Sequence, residues 1–313
     1  IGFSIGAGVL IAQCYGASQE ERLRKYASTA IWLMTGIGIV VSLTGLMAGE
    51  FILKNVLQVP EPMQRLAVQY FRIYALGLVF QFGYNIFAAI LQAVGDSKST
   101  LYFLLISSAA NILLDLVFVR IWGVTGAAAA TGISQLCACA AGGIYMNRKY
   151  RVLRFKLREL SFEPCKAFDV LRTGMPMALQ YSVISMGILI LQRLVNTYGQ
   201  AMIASFTVVV RLQGFLTIPI KGFQSTMMTY AGQNMGAGKK ERIPPGLWQS
   251  VGMSLGITMA LSAVIYGFMN PLVQGFGIDS GAARICVTHL RVMVPSILMY
   301  AAYFPMNGMF QGV

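Results

Sequence analysis

The strongest constraint in this sequence is an internal repeat. Residues 12–22 read AQCYGASQEER and residues 232–242 read GQNMGAGKKER, so five of eleven positions recur at an offset of 220. A second set recurs at an offset of 219, where Arg72, Tyr84, Gln92 and Val94 face Arg291, Tyr303, Gln311 and Val313. Order and spacing are kept through about eighty residues, so the chain holds two copies of one structural block.

Composition places both copies in a membrane. Hydrophobic residues make up 56% of the chain, charged residues make up 11%, and the mean hydropathy is +0.65. The long apolar runs do not alternate with polar residues as barrel strands would, which leaves helices as the structure that satisfies their backbone. Nine apolar segments are spans or parts of spans, and they are 1–16, 28–49, 67–93, 100–120, 124–147, 168–192, 200–235, 247–270 and 285–313. We predict an all-α integral membrane protein.

The repeat also predicts how the chain is divided. We expect an N-lobe over 1–147, a basic linker over 148–166 and a C-lobe over 167–313. Because an even number of helices separates the copies, we expect parallel repeats related by an axis along the membrane normal. Part of each copy has no counterpart here, so we expect a full-length protein of roughly 430–450 residues with two six-helix repeats. About nine of its twelve helices would be present, with helices 1, 11 and 12 missing.

The distribution of the basic residues that give the net charge of +13 reflects membrane topology and does not indicate a nucleic-acid-binding patch. Loops taken alternately carry fifteen Lys and Arg residues on one side and seven on the other. The positive-inside rule then places the loops after Gln13 and Gln233, and the full-length N-terminus, in the cytoplasm. The run 147–159 carries six basic residues; it is either a topology determinant lying against anionic headgroups or a specific lipid or regulatory site.

The two matching loops predict matching helix ends. Gly16 and Gly236 occupy the same place in the Q-x-x-GA segments. Glycine is the residue that most readily adopts the left-handed conformation that ends helices. We therefore expect positive φ at both glycines.

Catalytic and metal-binding motifs are missing from the sequence. The five cysteines are odd in number and lie in spans or on the predicted cytoplasmic side, which disfavours disulfides. Cys137 and Cys139 are about 200° apart on a helix, and His289 has no HExxH partner. We expect neither an enzyme nor a cofactor beyond a coupling ion.

Asp115 is the strongest single candidate for a functional residue. It is the only acidic residue well inside an apolar segment, and Asn111 precedes it by four residues, which puts both on one helix face. A carboxylate in hydrocarbon must be neutralised, be paired or bind a cation. With the Asn111 carbonyl and the Thr131 hydroxyl it offers hard oxygen ligands for Na⁺, or a protonatable group. The alternative is a structural Asp that is hydrogen-bonded to helix ends or hydroxyls.

Several segments, in their order along the chain, resemble one transporter family. They are ILQAVGDSKS (90–99), NILLDLVFV (111–119), GVTGAAAATGISQ (123–135) and the two Q-x-x-GA loops. With these segments the chain resembles the multidrug and toxic compound extrusion (MATE) transporters over nearly all of its length. The resemblance implies a two-lobed helical bundle that exports lipophilic, often cationic, compounds against Na⁺ or H⁺ entry.

The resemblance also assigns residues. It implies a cation-coupling site of Asn111, Asp115 and Thr131, with Asp115 and Asn111 as the ligands of a coupled Na⁺, completed by an acidic residue in helix 1. Some members carry a further acidic residue in helix 7, where this chain has Gln180 and no carboxylate.

Candidate substrate contacts are adaptable and amphipathic side chains. Their sequence positions favour Gln81, Asn85, Met175, Met177, Tyr181 and Met186 as cavity-lining residues. Methionines at helical spacing also commonly pack a core, which is the alternative for the three methionines. Arg211 is a further candidate substrate contact. It lies with Lys221 inside one span, where the two residues attract an anion, repel cations, snorkel to the interface or pair with backbone carbonyls.

These observations predict a multidrug exporter of the inner membrane, coupled to Na⁺ or H⁺. We expect a monomer whose partners are a small lipophilic substrate and membrane lipids, and not nucleic acid. One alternative is a flippase of the same superfamily for lipid-linked oligosaccharide pyrophosphate, which would use interior cations to bind phosphate. Another is a membrane scaffold that transports nothing.

Overall fold

A computed structural model describes residues 1–56, 61–155 and 161–313, and within these ranges the secondary structure is helical, without a β-strand. Its ten α-helices are α1 (Gly2–Gly16), α2 (Glu20–Phe51), α3 (Glu61–Ala93), α4 (Ser97–Trp122), α5 (Val124–Lys149), α6 (Pro164–Asn196), α7 (Gln200–Gly236), α8 (Ile243–Gly267), α9 (Met269–Gly275) and α10 (Ser280–Gly312). Eight helical segments in the described part are long and apolar enough to cross a membrane, and α1 is a shorter apolar helix. The prediction of an all-α integral membrane protein is confirmed.

The nine predicted segments all coincide with helices, and α9 is an additional one. The segment predicted over 247–270 ends as a continuous helix at Gly267, and the chain continues through Phe268 into the seven-residue α9. Most helices are also longer than their apolar segments, because polar residues extend the helical hydrogen bonding beyond the apolar core. Asp96 is the N-cap of α4, and its side chain accepts a hydrogen bond from the Ser99 N–H. Asp279 is the N-cap of α10, and its side chain accepts one from the Gly281 N–H.

Contacts divide the chain into two compact units, Ile1–Ala178 and Leu179–Val313, which we call the first and second units. The division falls within α6, whose first half belongs to the first unit. The lobe limits at 147 and 167 follow the sequence repeat, and they remain predictions. Two basic residues of the predicted linker, Lys156 and Arg158, lie outside the described residues.

In the first unit, α3 packs against α1, α2 and α5, and α4 packs against α5. Its core is formed by fully buried side chains such as Ile11, Met34 and Ile90. The first half of α6 approaches α1 so closely that a side chain at Gly6 would meet the backbone of Gly174. Small residues allow such approaches between membrane helices, because neighbouring backbones can then make van der Waals contact.

In the second unit, α7 packs along α10, and α8 packs against both. Leu216, Ile220 and Leu290 are fully buried between them. A side chain at Gly308 of α10 would meet the backbone of Gln224 in α7. The glycine therefore sets the distance between these two helices.

The two repeated loops form the same turn. After α1, Ala17, Ser18 and Gln19 donate their N–H groups to Gln13, Tyr15 and Cys14 at 3.0, 3.1 and 3.0 Å. After α7, Ala237, Gly238 and Lys239 donate to Gln233, Met235 and Asn234 at 2.9, 3.1 and 2.9 Å. In these two turns, the sequence repeat is thus matched by the same pattern of backbone hydrogen bonds.

The prediction of positive φ at Gly16 and Gly236 is wrong. Both are the last residues of their helices, and the following alanines, Ala17 and Ala237, keep right-handed φ values of −77° and −74°. Positive φ occurs two residues after each glycine, at Ser18 with 54° and at Gly238 with 72°. Each glycine and the alanine after it stay outside the left-handed region, and the turn hydrogen bonds satisfy the last carbonyls of the helix.

Candidate functional site

The predicted cation site lies between α4 and α5 in the first unit. The Ser107 hydroxyl donates to the Ser134 carbonyl at 2.9 Å, and the Asn111 amide donates to the Thr131 hydroxyl oxygen at 3.5 Å. Partners therefore run in opposite directions along the two helices, which makes α4 and α5 antiparallel neighbours. Asn111 and Thr131, which are twenty residues apart in sequence, are therefore in contact, and their role as cation ligands remains a prediction.

Asp115 lies one turn beyond Asn111 on α4, and its environment is incomplete. The side chain is half-buried, and its Oδ1 is fully buried without a hydrogen-bond partner among the described residues. A buried carboxylate oxygen without a partner costs several kcal/mol when the group is charged. A cation bound at this oxygen would remove that cost.

The ligand set fits a hard monovalent ion or a proton. The Thr131 hydroxyl donates to the Ala127 carbonyl at 3.0 Å, which leaves its oxygen to accept. Because Asn111 uses its amide nitrogen towards Thr131, its carbonyl oxygen is available as a ligand. Among the residues described, no group of three or more His, Cys, Asp or Glu side chains is placed to hold a metal ion. The arrangement therefore offers one carboxylate with neutral oxygens, which resembles neither a zinc site nor a two-metal site.

The predicted substrate residues are divided between the two units. Gln81 and Asn85 are half-buried one turn apart on α3, and Met177 is buried near the end of the first unit. In the second unit Tyr181 is half-buried and Arg211 is exposed. Within each unit, no hydrogen bond between described residues joins any two of them. Their role in binding a substrate remains a prediction.

The other residues singled out in α6 and α7 are exposed on their own units. The two remaining methionines, Met175 and Met186, are 47% and 62% exposed. Lys221 is exposed, as Arg211 is, and neither forms an ion pair within the described parts of the chain. Exposure of these side chains is compatible with contact to lipid or to a substrate cavity.

A second polar cluster surrounds Asp96 at the end of α3. Its carboxylate is 8% exposed and accepts hydrogen bonds from the Ser99 hydroxyl at 2.8 Å, the Tyr150 hydroxyl at 2.9 Å and the Lys149 ammonium at 3.0 Å. Tyr145 adds a fourth side-chain donor at 3.0 Å. Burial by itself raises the pKa of the Asp96 carboxyl, but the hydrogen bonds outweigh it and hold that pKa well below its usual range. Burial and the neighbouring Asp96 raise the pKa of Tyr150 to about 12.

The described part of the linker is fastened to the same end of the first unit. Arg24 of α2 donates to the Arg154 carbonyl at 3.3 Å, and its guanidinium lies 5.6 Å from the Phe155 ring centroid. Ser28 donates to the Ser161 carbonyl at 2.8 Å. Lys166 binds Glu163 and lowers the pKa of its carboxyl. The described linker residues on either side of 156–160 therefore contact α2.

Comparison with known proteins decides the family. A family model described as MatE matches residues 1–117 and 176–313, which is more than half of the chain. The chain belongs to the MatE family. Its sequence is 30% identical over 245 residues to "Probable multidrug resistance protein YpnP" of Bacillus subtilis, covering 78% of this chain and 54% of that protein. It is 25% identical to "Probable multidrug resistance protein NorM" of Thermotoga maritima, covering 100% of this chain and 68% of that protein.

Solved structures agree with the fold. An outward-facing multidrug resistance MATE family transporter of the MOP superfamily matches with a TM-score of 0.92 at 23% identity, covering 99% of this chain and 70% of that one. A MOP superfamily transporter from Pyrococcus furiosus matches with a TM-score of 0.91 at 23% identity and the same coverage. The MatE chain thus spans about half to two thirds of the curated relatives it matches.

Sequence reasoning overlooked one polar side chain in this MatE chain. Gln135 lies one turn beyond Thr131 on α5, and its Oε1 is buried without a hydrogen-bond partner among the described residues. The α4–α5 pair therefore holds two buried oxygen acceptors without partners, one on Asp115 and one on Gln135. The spacing Thr131-x-x-x-Gln135 inside an apolar helix was the available signal, since it puts both on one face.

Proposed function

We propose that the full-length protein is a multidrug exporter of the inner membrane, with its basic loops in the cytoplasm, driven by entry of Na⁺ or H⁺. The observation that carries this proposal is the buried, unpartnered Oδ1 of Asp115 beside the Asn111–Thr131 pair. The names of the curated relatives support export of several compounds. The excess of basic residues in alternate loops supports the orientation.

Asp115 would couple the ion to transport by changing charge. With a proton or Na⁺ bound, the carboxylate is neutralised and α4 can pack against its neighbours at low cost. Without the ion, the charged oxygen must be hydrated or find another partner, which favours a different arrangement of the helices. An ion gradient could then drive the alternation between two arrangements that differ in access.

The substrates would be lipophilic compounds that are often cationic. Gln81 and Asn85 on α3 and Met177 and Tyr181 on α6 would supply hydrogen bonds and adaptable apolar contacts. Arg211 would limit the charge of the substrates that can bind near it, since a cationic substrate beside an unneutralised guanidinium is repelled. Methionine side chains suit a site for varied shapes, because they are flexible and polarisable.

The test is Asp115→Asn in the full-length protein, with Asp279→Asn, an exposed acid of the second unit, as the matched control. Everted vesicles would be energised with a proton gradient or a sodium gradient, and efflux of a cationic dye measured. We expect a loss of at least about tenfold for Asp115→Asn at unchanged membrane insertion, because the isostere keeps volume and removes the charge. Normal ion-driven efflux by Asp115→Asn would refute the proposal, and the gradient that drives the unaltered protein identifies the ion.

A lipid flippase is the second candidate. It is supported by Arg211 and Lys221, which form no ion pair among the described residues and could bind a pyrophosphate. Replacing both with glutamine should abolish movement of a lipid-linked pyrophosphate and spare dye efflux if this candidate holds. For the exporter the same variant should keep dye efflux, and movement of the lipid should be absent from the start.

A further inference from the structure

A cavity of about 400 Å³ opens at the end of the second unit where α9 meets the start of α10. Asn270 and Gln274 of α9 and Arg284, Thr288 and Arg291 of α10 supply its polar lining. It lies at the opposite end of α8 from the basic loop Lys239–Arg242. Two guanidinium groups therefore share one small cavity near the end of a membrane-spanning helix.

The internal repeat gives this cavity a counterpart in the first unit. At offsets of 220 and 219, Asn270, Gln274, Arg284 and Arg291 correspond to Glu50, Lys54, Arg65 and Arg72. Each arginine of the cavity thus has an arginine at its equivalent position. The two residues contributed by α9 correspond to a carboxylate and an ammonium.

The difference lies in the carboxylate. Glu50 binds Arg72 at 3.1 Å and Lys54 at 2.8 Å, so the first unit supplies its own anion. In the second unit Asn270 replaces that glutamate, and neither Arg284 nor Arg291 forms an ion pair with any carboxylate in the described ranges. Asp279, the acidic residue nearest in sequence, accepts the Gly281 N–H as the cap of α10. The second unit keeps the cations and lacks the anion.

The position of the arginines matches the headgroup layer of a membrane. The 33 residues of α10 give a helix about 50 Å long, about 20 Å more than the hydrocarbon core, so it projects about 10 Å at each end if centred. Arg284 lies about 6 Å and Arg291 about 17 Å from the start of the helix, which places them at the headgroups and just inside the hydrocarbon. Helical side chains lean towards the N-terminus, so Arg291 extends back towards the headgroups.

We propose that this cavity binds the phosphate of an anionic membrane lipid, in the place that the Glu50 carboxylate takes in the first unit. A phosphodiester offers acceptor oxygens to two guanidinium groups, which form charge-assisted and often bidentate hydrogen bonds. The Asn270 and Gln274 amides can donate further hydrogen bonds to the same group. Val273 and Val287, which also line the cavity, suit the first carbons of the lipid. This inference does not depend on what the protein transports.

The test uses the full-length protein in nanodiscs of phosphatidylcholine, with and without phosphatidylglycerol. Lipids retained after transfer to detergent would be identified by native mass spectrometry, and the unfolding temperature would be measured in both nanodiscs. We expect preferential retention of phosphatidylglycerol and a rise in unfolding temperature on the order of 2–3 °C, since a ligand of the folded state stabilises it. Equal retention of both lipids would overturn the proposal.

Three variants make the test specific. Arg284→Gln with Arg291→Gln should lower retention of phosphatidylglycerol at least about tenfold. Asn270→Glu should do the same with both arginines in place, because it restores the carboxylate of the first unit, so it covers the case in which the arginine variant fails to fold. Arg72→Gln, the matched change in the first unit, should leave retention unchanged, and a loss equal to that of Arg291→Gln would contradict a site at α9–α10.

A further arm separates the lipid from a free anion. Protein in phosphatidylcholine nanodiscs would be titrated with sodium phosphate, against sodium chloride at equal ionic strength. We expect no specific stabilisation at millimolar phosphate. Stabilisation that matches the effect of phosphatidylglycerol and is lost in Asn270→Glu would show that the site takes a free anion, and the lipid assignment would then be wrong.

Discussion

The two units differ most in how they hold negative charge. Of the eleven acidic residues, nine lie in the first unit, and the second has only Glu241 and Asp279, both exposed. In the first unit, Asp96 and Glu50 are each bound by basic side chains, and Asp115 keeps a buried oxygen free. The carboxylates are therefore concentrated in the first unit, whereas Arg284 and Arg291 of the second unit form no ion pair among the described residues.

A second difference concerns where the small residues lie. In the first unit Gly8 of α1 faces Ala89 of α3. In the second unit the equivalent residues are Met228 of α7 and Gly308 of α10. In the second unit the glycine is on the other helix of the pair, where Gly308 lies against the backbone of Gln224 and Gly312 lies against that of Met228. The equivalent positions therefore make different contacts in the two units.

The largest effect on stability is expected at Gly308. An alanine there would place Cβ against the Gln224 carbonyl in α7, and separating these helices should lower the free energy of unfolding by about 2–3 kcal/mol. Gly252 of α8, which has open space around it, is the control, and its change to alanine should be neutral or stabilising by up to about 1 kcal/mol. Thermal unfolding in detergent measures both. Equal effects would show that close packing does not distinguish the two glycines.

The charge comparison is tested at Asp96. Asp96→Asn removes the carboxylate that accepts from Ser99, Tyr145, Lys149 and Tyr150, and it should lower the free energy of unfolding by about 2 kcal/mol. Asp279→Asn in the second unit, where the carboxylate is exposed, should cost less than about 1 kcal/mol. Unfolding temperatures of the two variants at neutral pH decide whether the buried carboxylate of Asp96 contributes more to stability than the exposed carboxylate of Asp279.

The same carboxylate predicts a pH dependence. The pKa of Asp96 is lowered in the folded protein, so its contribution is complete above the unfolded-state value of about 3.9 and is lost as pH falls through the lower folded value. The difference in unfolding temperature between the unaltered protein and Asp96→Asn should therefore be constant from pH 7 to about 5 and shrink below about 4. A difference that does not change with pH would show that Asp96 acts by shape alone.

The matching turns after α1 and α7 allow a test with a smaller expected effect on stability, in which the residue of each turn is replaced by that of the other. Ser18 has a φ of 54° where the second unit has Gly238 with 72°, and a left-handed conformation costs a non-glycine residue about 1 kcal/mol. Ser18→Gly should therefore stabilise and Gly238→Ser destabilise by about 1 kcal/mol or less. The same sign for both exchanges in thermal unfolding would mean that the turns are not equivalent.

The smallest expected change is Glu50→Asn, which gives the first unit the residue of the second. Its ion pairs with Lys54 and Arg72 are about half exposed, so the unfolding temperature should fall by no more than about 2 °C. The informative readout is lipid binding, since the variant should retain phosphatidylglycerol at a second site. Glu50→Gln, which keeps the side-chain length, is the control and should behave alike.

Much of the fold could be predicted from the sequence because helices and turns depend on residues that are close together in the chain. Apolar length predicted the membrane helices found among the described residues. The offset of the repeat predicted that two turns 220 residues apart share one hydrogen-bond pattern. The position of positive φ was missed, since it depends on how many residues the helix retains before the turn closes. The break between α8 and α9 was also missed, because the apolar sequence continues across Gly267.

The sequence by itself determined that the chain lies in a membrane, that it is helical and that it holds a repeat, because composition and spacing carry that information. It also selected Asn111, Asp115 and Thr131 as candidates for a cation site. Only the tertiary structure decided that Asn111 contacts Thr131, that an oxygen of Asp115 has no partner, and that Gln135 shares this condition. It also decided that Arg291 and Asn270 line one cavity, whereas Arg72 binds Glu50 directly. The physical reason is that a polar group in a membrane is defined by its partners, and partners on separate helices are chosen by packing, which spacing along one chain does not encode.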